Sequence, residues 1–380
     1  MRRLPGAVVP ALALLPLISS CGPAQADPWG VEIVEEGLPS APLDPRGEHS
    51  LLWSGEELLV WGGDGPGRGQ HNSFADGAAY DPDTGTWRML AESGLEPRTR
   101  HTAVMAGDRM LVWGGFTATY DETDAMTARD GALYDPESDT WEPIADAPEA
   151  RDLARAAVVG DHVVFGGGRG ADFLVYSLAE DAWHTVEVSQ PMGEQQAYTV
   201  YDVAARGDGV VAVAAAGPLG RELVTLAFEP GEHDRAAVRP VPEAQENEGG
   251  TVSAGLATTS EGTALLTLRV GTTTRLYRID GHGRAQPVET AVSPHFLPPV
   301  RLVTRGLLSG DMHAVEGLGL VAARPGAVSL WDHASERSGD WRQGSRVDYC
   351  GPLVPAGEGR LLGWGGLGCG DEGVSLTMDL

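Results

Sequence analysis

The chain has no lysine. All 27 basic residues among its 380 are arginine, set against 54 acidic ones, for a formal net charge of −27. Phosphate binding needs a basic stripe, so a surface of this balance repels nucleic acid, and nucleic acid is not expected as a partner. A phosphate-binding loop ending in Gly-Lys-Ser/Thr cannot be built at all. Cysteine is nearly absent, with three in the whole chain. Neither His-Glu-x-x-His nor Gly-x-Ser-x-Gly occurs, which leaves zincin and α/β-hydrolase chemistry without support. What is present is ordinary for a globular protein, 42% hydrophobic and 21% charged, so a sizeable core can be buried and disorder along the whole chain is excluded. The 52 glycines and 26 prolines follow no Gly-X-Y period. That rules out collagen and points to many tight turns, as an all-β chain requires.

At the N-terminus, Arg2 and Arg3 precede an apolar stretch from Leu4 to Ile18, followed by Ser19, Ser20 and Cys21. The stretch is too short and too interrupted by proline to span a bilayer, and the layout is that of a signal peptide. Ile18-Ser19-Ser20-Cys21 resembles the lipobox of bacterial lipoproteins. The resemblance implies that residues 1–20 are removed, that Cys21 is lipidated, and that residues 21–28 tether a domain of residues 29–380 to the extracytoplasmic face of a bacterial cell membrane. Cleavage after Ala24 or Ala26, giving an ordinary secreted protein, is the alternative. Cys350 and Cys369 then remain. Outside the cytoplasm this even pair reads as a disulfide, with two buried thiols as the other possibility and no ligand set for zinc.

Three segments repeat. Leu58-Leu59-Val60-Trp61-Gly62-Gly63 is matched by Met110-Leu111-Val112-Trp113-Gly114-Gly115 and by Val163-Val164-Phe165-Gly166-Gly167, the first glycines falling at 62, 114 and 166. Downstream of each pair a tyrosine is followed by a tryptophan: Tyr80 and Trp87, Tyr134 and Trp141, Tyr176 and Trp183. Turn residues such as Asp81-Pro82-Asp83-Thr84-Gly85 lie between them. An apolar run, Gly-Gly, Tyr, a turn and Trp together resemble the kelch repeat, whose unit is one four-stranded propeller blade. After residue 190 the pattern weakens to Val210–Ala216, Thr263–Val270 and Leu318–Ala323, and it returns in Leu361-Leu362-Gly363-Trp364-Gly365-Gly366. This gives seven blades, with six possible. The chain stops one strand after its last Gly-Gly, while Trp29–Gly37 is similar to the outer strands at Trp87 and Trp141. An N-terminal strand is therefore expected to complete the last blade and close the ring.

Few motifs suggest chemistry. The glycine-rich stretches 62–69 and 166–170 open no helix and read as blade turns. Asp81, Asp83 and Glu92 fall near calcium-loop spacing, but the glycine is misplaced and turn chemistry explains them better. The acidic run Asp121, Glu122, Asp124 and Asp130 reads as a solvated loop, and Arg206-Gly207-Asp208 as a hairpin turn. The most suggestive set lies where each innermost strand begins: Arg46 and His49, Arg98, Arg100 and His101, then Arg151 and Arg155. Equivalent positions in adjacent blades approach one another around the axis. These residues could form a ring of positive charge at one mouth of the channel, binding an acidic ligand through guanidinium forks; the competing reading is that they bond neighbouring loops.

The expected protein is thus a monomeric, lipid-anchored binding or scaffolding module, non-catalytic and without cofactor or metal, that presents a propeller surface to a protein or acidic glycan. The alternative is a carbohydrate-active enzyme working at the channel mouth. Kelch-like sugar oxidases use copper and a tyrosine crosslinked to a cysteine, for which the cysteines here are poorly placed, and nothing specific matches kelch-like sialic-acid mutarotases.

Overall fold

The computed structural model describes residues 32–65, 73–117, 126–168, 170, 172–188, 198–216, 222–231, 235–242, 252–259, 262–270, 273–288, 312–315, 319–324, 327–332, 337–341, 352–357, 359–366 and 372–379. All regular structure among them is β. The first blade is an antiparallel meander of Ser50–Trp53, Leu58–Trp61, Gly77–Asp81 and Thr86–Met89. The second comprises Thr102–Ala106, Arg109–Trp113, Gly131–Asp135 and Thr140–Pro143, and the third Ala154–Val159, His162–Gly167, Phe173–Ser177 and Ala182–Val188. A fourth runs from Thr199–Arg206 to Arg235–Pro240. Its outer strand meets that of the third in a short parallel pairing, Glu187 with Arg235 and Val188 with Ala236, so the two blades form one eight-stranded sheet. Further four-stranded sheets begin at Val252–Thr258 and Met312–Val315.

The last sheet takes three strands from the C-terminus, Leu353–Pro355, Arg360–Trp364 and Gly373–Asp379, and its outer strand from the N-terminus, Glu32–Gly37. The register runs from Glu32 opposite Asp379 to Gly37 opposite Val374. The innermost strands touch in sequence order, and the last of them, Leu353–Pro355, touches the first, Ser50–Trp53. The sheets therefore stand in a closed ring, and the N-terminal strand supplies the ladder that would otherwise leave an open edge.

The core lies between blades. Leu58, Leu59, Val60 and Trp61 are all fully buried, yet they serve two different clusters. Leu58 and Val60 pack with Leu362 and Trp364 of the last blade, whereas Leu59 and Trp61 pack with Met110 and Val112 of the second. Successive side chains of a strand point to opposite faces, and in a propeller both faces are covered by neighbours. This is why these strands read as unbroken apolar runs rather than alternating ones. At Gly63, φ is +98° and a Cβ would stand 2.6 Å from the Gly47 carbonyl oxygen, so only glycine allows the backbone to approach there.

Candidate functional site at the strand starts

The chain enters each innermost strand on the face that also carries the Gly-Gly turns. There Arg46, Arg98 and Arg151 are no more than 2% exposed. A buried guanidinium must find acceptors, and each finds the same kind. Arg46 Nε donates to the Asp44 carbonyl (3.0 Å), and its Nη1 donates to the Gly62 carbonyl (3.3 Å) and to Asp76 Oδ1 (2.7 Å). Arg98 repeats this with the Glu96 and Gly114 carbonyls and with both oxygens of Asp130, at 2.9 and 3.0 Å. Arg151 donates to the Gly167 and Asp172 carbonyls and to Glu149 Oε2 at 3.0 Å. Each arginine thus clamps the Gly-Gly turn of its own blade. The arginine's own carbonyl accepts from the second glycine of the preceding blade: Gly366 to Arg46 (3.0 Å), Gly63 to Arg98 (3.0 Å), Gly115 to Arg151 (2.8 Å).

The histidines join blades as well. His49 Nε2 donates to the Trp364 carbonyl (3.0 Å), and its ring stands edge-on to the Trp364 indole. His101 Nε2 is bonded to Ser50 Oγ, and its ring meets Trp61 edge-on at 4.9 Å. Desolvation by burial pushes both imidazoles down, His49 to about 4 and His101 to about 3. The Trp364 carbonyl opposes the shift at His49 while Arg46 adds to it, and Arg98 and His49 add to it at His101.

The structure does gather the predicted residues in adjacent blades, and it puts most of their donors onto the protein itself. Arg46, Arg98 and Arg151 are buried clamps with acidic or carbonyl partners, not a displayed ring of positive charge. His49 and His101 are neutral at physiological pH. Arg155 Nε donates to the Tyr201 carbonyl (3.3 Å). Arg100, half exposed, bonds Glu48 at 3.3 Å and lies 3.8 Å from Asp152. The physical reason is that Arg46, Arg98 and Arg151 each meet carbonyl and carboxylate acceptors beneath the Gly-Gly turn, each two residues before a left-handed position (Glu48 φ 52°, Arg100 φ 58°, Leu153 φ 58°). Cys21, Cys350 and Cys369 lie outside the described residues.

Two sets of residues at the opposite ends of the blades also hold the ring. Trp87, Trp141 and Trp183 each donate their indole N–H to a carbonyl beyond the outer strand of the preceding blade: Pro39 (2.9 Å), Ala91 (3.0 Å) and Ala145 (2.7 Å). The Tyr-to-Trp spacing signals them. No such signal marks Arg88, which reads as a rim arginine in sequence. It bonds Glu57 through two nitrogens and the Tyr134 hydroxyl at 3.0 Å, and Tyr134 donates to Asp139 at 2.7 Å. Asp81 accepts from the Asp83 and Thr84 amides and the Thr84 hydroxyl, which is turn geometry. Gly207 at φ 58° closes the hairpin of the Arg206-Gly207-Asp208 tripeptide.

A closed all-β ring of antiparallel four-stranded sheets, tied from the last blade through the third by Gly-Gly, Arg and Trp links, defines a β-propeller. The chain's first blades carry repeats of the kelch type: residues 36–207, a little under half of the chain, match the KLHDC2/KLHL20/DRC7 Kelch-repeats domain. It is similar to the Kelch-like protein terF of Aspergillus terreus, 32% identical over 135 residues, which is 35% of this chain and 29% of that protein. It is also similar to the mouse multiple epidermal growth factor-like domains protein 8, 31% identical over 220 residues, 51% of this chain and 7% of that one. Human Kelch domain-containing protein 3 is 29% identical over 140 residues, 35% of each chain. The matches thus cover about a third or less of these relatives.

Proposed function

We propose that the protein is a non-catalytic binding or scaffolding module, a seven-bladed ring anchored by lipid on Cys21 at the outer face of a bacterial cell membrane. The observation that carries the binding reading is the fate of the residues best suited to chemistry. The Arg46, Arg98 and Arg151 side chains are spent within their own blades and His49 and His101 bond the preceding ones, which leaves a frame that carries loops of unequal length. Such frames act through the surfaces they present. Glu32, where the N-terminal strand begins, lies on the face of the tight hairpins at 54–57 and 82–85, so a tether leading back to Cys21 leaves on that side. The opposite face, with the long loops after Gly63 and Gly115, would point away from the membrane.

Two experiments test this. Cys21→Ser should release the protein from the membrane fraction while its melting temperature holds, since residue 21 precedes the first strand, Glu32–Gly37, in the chain; retention in the membrane refutes the anchor. Crosslinking on intact cells should recover a reproducible partner, and a wild-type protein that recovers none refutes the scaffold.

A further inference from the structure

The blade junctions differ in one respect. Tyr134 and Tyr176, each facing the preceding blade, donate to an aspartate five residues on, Asp139 and Asp181, at 2.7 Å in both cases. Beside each tyrosine the preceding blade places an ion pair drawn from two fixed register positions: Glu57 with Arg88, and Arg109 with Glu142 at 3.2 Å. In the last blade the same positions hold Arg360 and Glu36, facing Tyr80. Here the set is incomplete. Gly85 stands where Asp139 and Asp181 stand, with φ +66° and open space around the place of its missing Cβ. Tyr80 is 6% exposed, and its hydroxyl has no hydrogen-bond partner among the described residues. Arg360 makes no ion pair among them.

Beside these residues, between the last blade and the first, is a groove of about 570 Å³. Trp53 and Arg360 line it, together with the carboxylates of Glu56, Glu57, Asp81 and Asp83. Charge does not forbid a carboxylate here. Tyr134 already sits among one arginine, Arg88, and three carboxylates, Glu57, Asp135 and Asp139. Tyr80 has Arg360 against Glu36 and Asp81, and Glu57 is already held by Arg88, so one more carboxylate reproduces the neighbouring junction provided that a basic group enters with it to answer Glu56 and Asp83.

We propose that this groove docks a protein segment bearing an aspartate or glutamate beside a basic residue, the carboxylate entering the place that Asp139 and Asp181 fill elsewhere and the basic side chain meeting Glu56 and Asp83. The carboxylate accepts from the Tyr80 hydroxyl and the Arg360 guanidinium, and Trp53 gives the segment an apolar wall. This rests on the binding-module reading and names one surface for it.

The test uses a fluorescein-labelled peptide with a central Glu-Arg pair and blocked ends, followed by anisotropy on the full domain. Wild type should bind it saturably. Glutamine in place of the peptide glutamate, and Arg360→Gln or Tyr80→Phe in the protein, should each weaken binding about tenfold, as expected for loss of a hydrogen bond to a charged group. Gly85→Asp should supply the carboxylate from within, abolish binding and raise the melting temperature; Asp139 and Asp181 already hold this left-handed backbone, at φ 52° and 47°. Absence of saturable binding by wild type, or binding that survives both Gly85→Asp and Arg360→Gln, overturns the groove. If crosslinked partners are recovered in cells equally by wild type and Gly85→Asp, the groove falls while the scaffold stands.

Discussion

Arg98 shows how a surface-type residue becomes structural. Its guanidinium is held by the Gly114 carbonyl and both Asp130 oxygens, and Asp130 keeps its other side toward water. Removing the arginine leaves a buried carbonyl and a carboxylate without their donor. Arg98→Ala should therefore destabilise the ring by about 2–4 kcal/mol, read from urea unfolding, and Arg98→Lys should recover little of it, because an ammonium cannot reproduce the planar fork. A change below about 0.5 kcal/mol would return Arg98 to the pool of ligand-binding candidates. The two histidines make a separate prediction. Their folded pKa values, about 4 and about 3, lie below the ordinary 6.5, so between these values the unfolded chain binds more protons than the folded one. Stability is then unaffected by them above about pH 6.5 and falls as pH drops toward 4, by up to about 1.4 kcal/mol per pH unit for each histidine. His49→Gln should flatten that acid slope relative to wild type. An unchanged slope would mean that His49 titrates normally.

Among the elements, the N-terminal strand has the clearest test. Glu32–Gly37 contributes a whole ladder to Gly373–Asp379, and the segment that follows it carries the Pro39 carbonyl that Trp87 holds and Leu38, which packs on the cluster between the first and last blades. Deleting residues 29–37 should lower stability cooperatively by several kcal/mol and expose the last blade to edge pairing. Melting at the wild-type temperature would show that closure lies elsewhere. The third and fourth blades are joined differently, by the parallel pairing of their outer strands. Nothing in the repeat pattern announces that pairing, because it depends on two outer strands splaying toward each other. Within the strands, the period is plain in sequence: alternate residues of Leu58–Trp61 enter different inter-blade clusters, and the run is apolar because both sides are covered.

For the molecule as a whole, a formal charge of −27 without lysine implies net self-repulsion, which salt screens over about 10 Å at about 0.1 M. The buried arginine clamps are screened far less. Melting temperature should therefore rise between about 20 mM and about 300 mM sodium chloride, and a fall would indicate that exposed ion pairs such as Arg129 with Asp146 matter more than repulsion.

The sequence alone determined the kelch repeat, the all-β class and the closing strand, because glycine, tyrosine and tryptophan at fixed spacing are demanded by local geometry that the first three blades share. It also located the arginines and histidines at the strand starts. Their role was decided only in three dimensions. Arg46 meets carbonyl and carboxylate acceptors 16 and 30 residues away, and a spacing pattern does not say whether a guanidinium points to solvent or under a turn. At Tyr80 the sequence shows Gly85 where Tyr134 and Tyr176 have Asp139 and Asp181 five residues on, but only ring closure brings Arg360 and Glu36, from opposite ends of the chain, to the same junction.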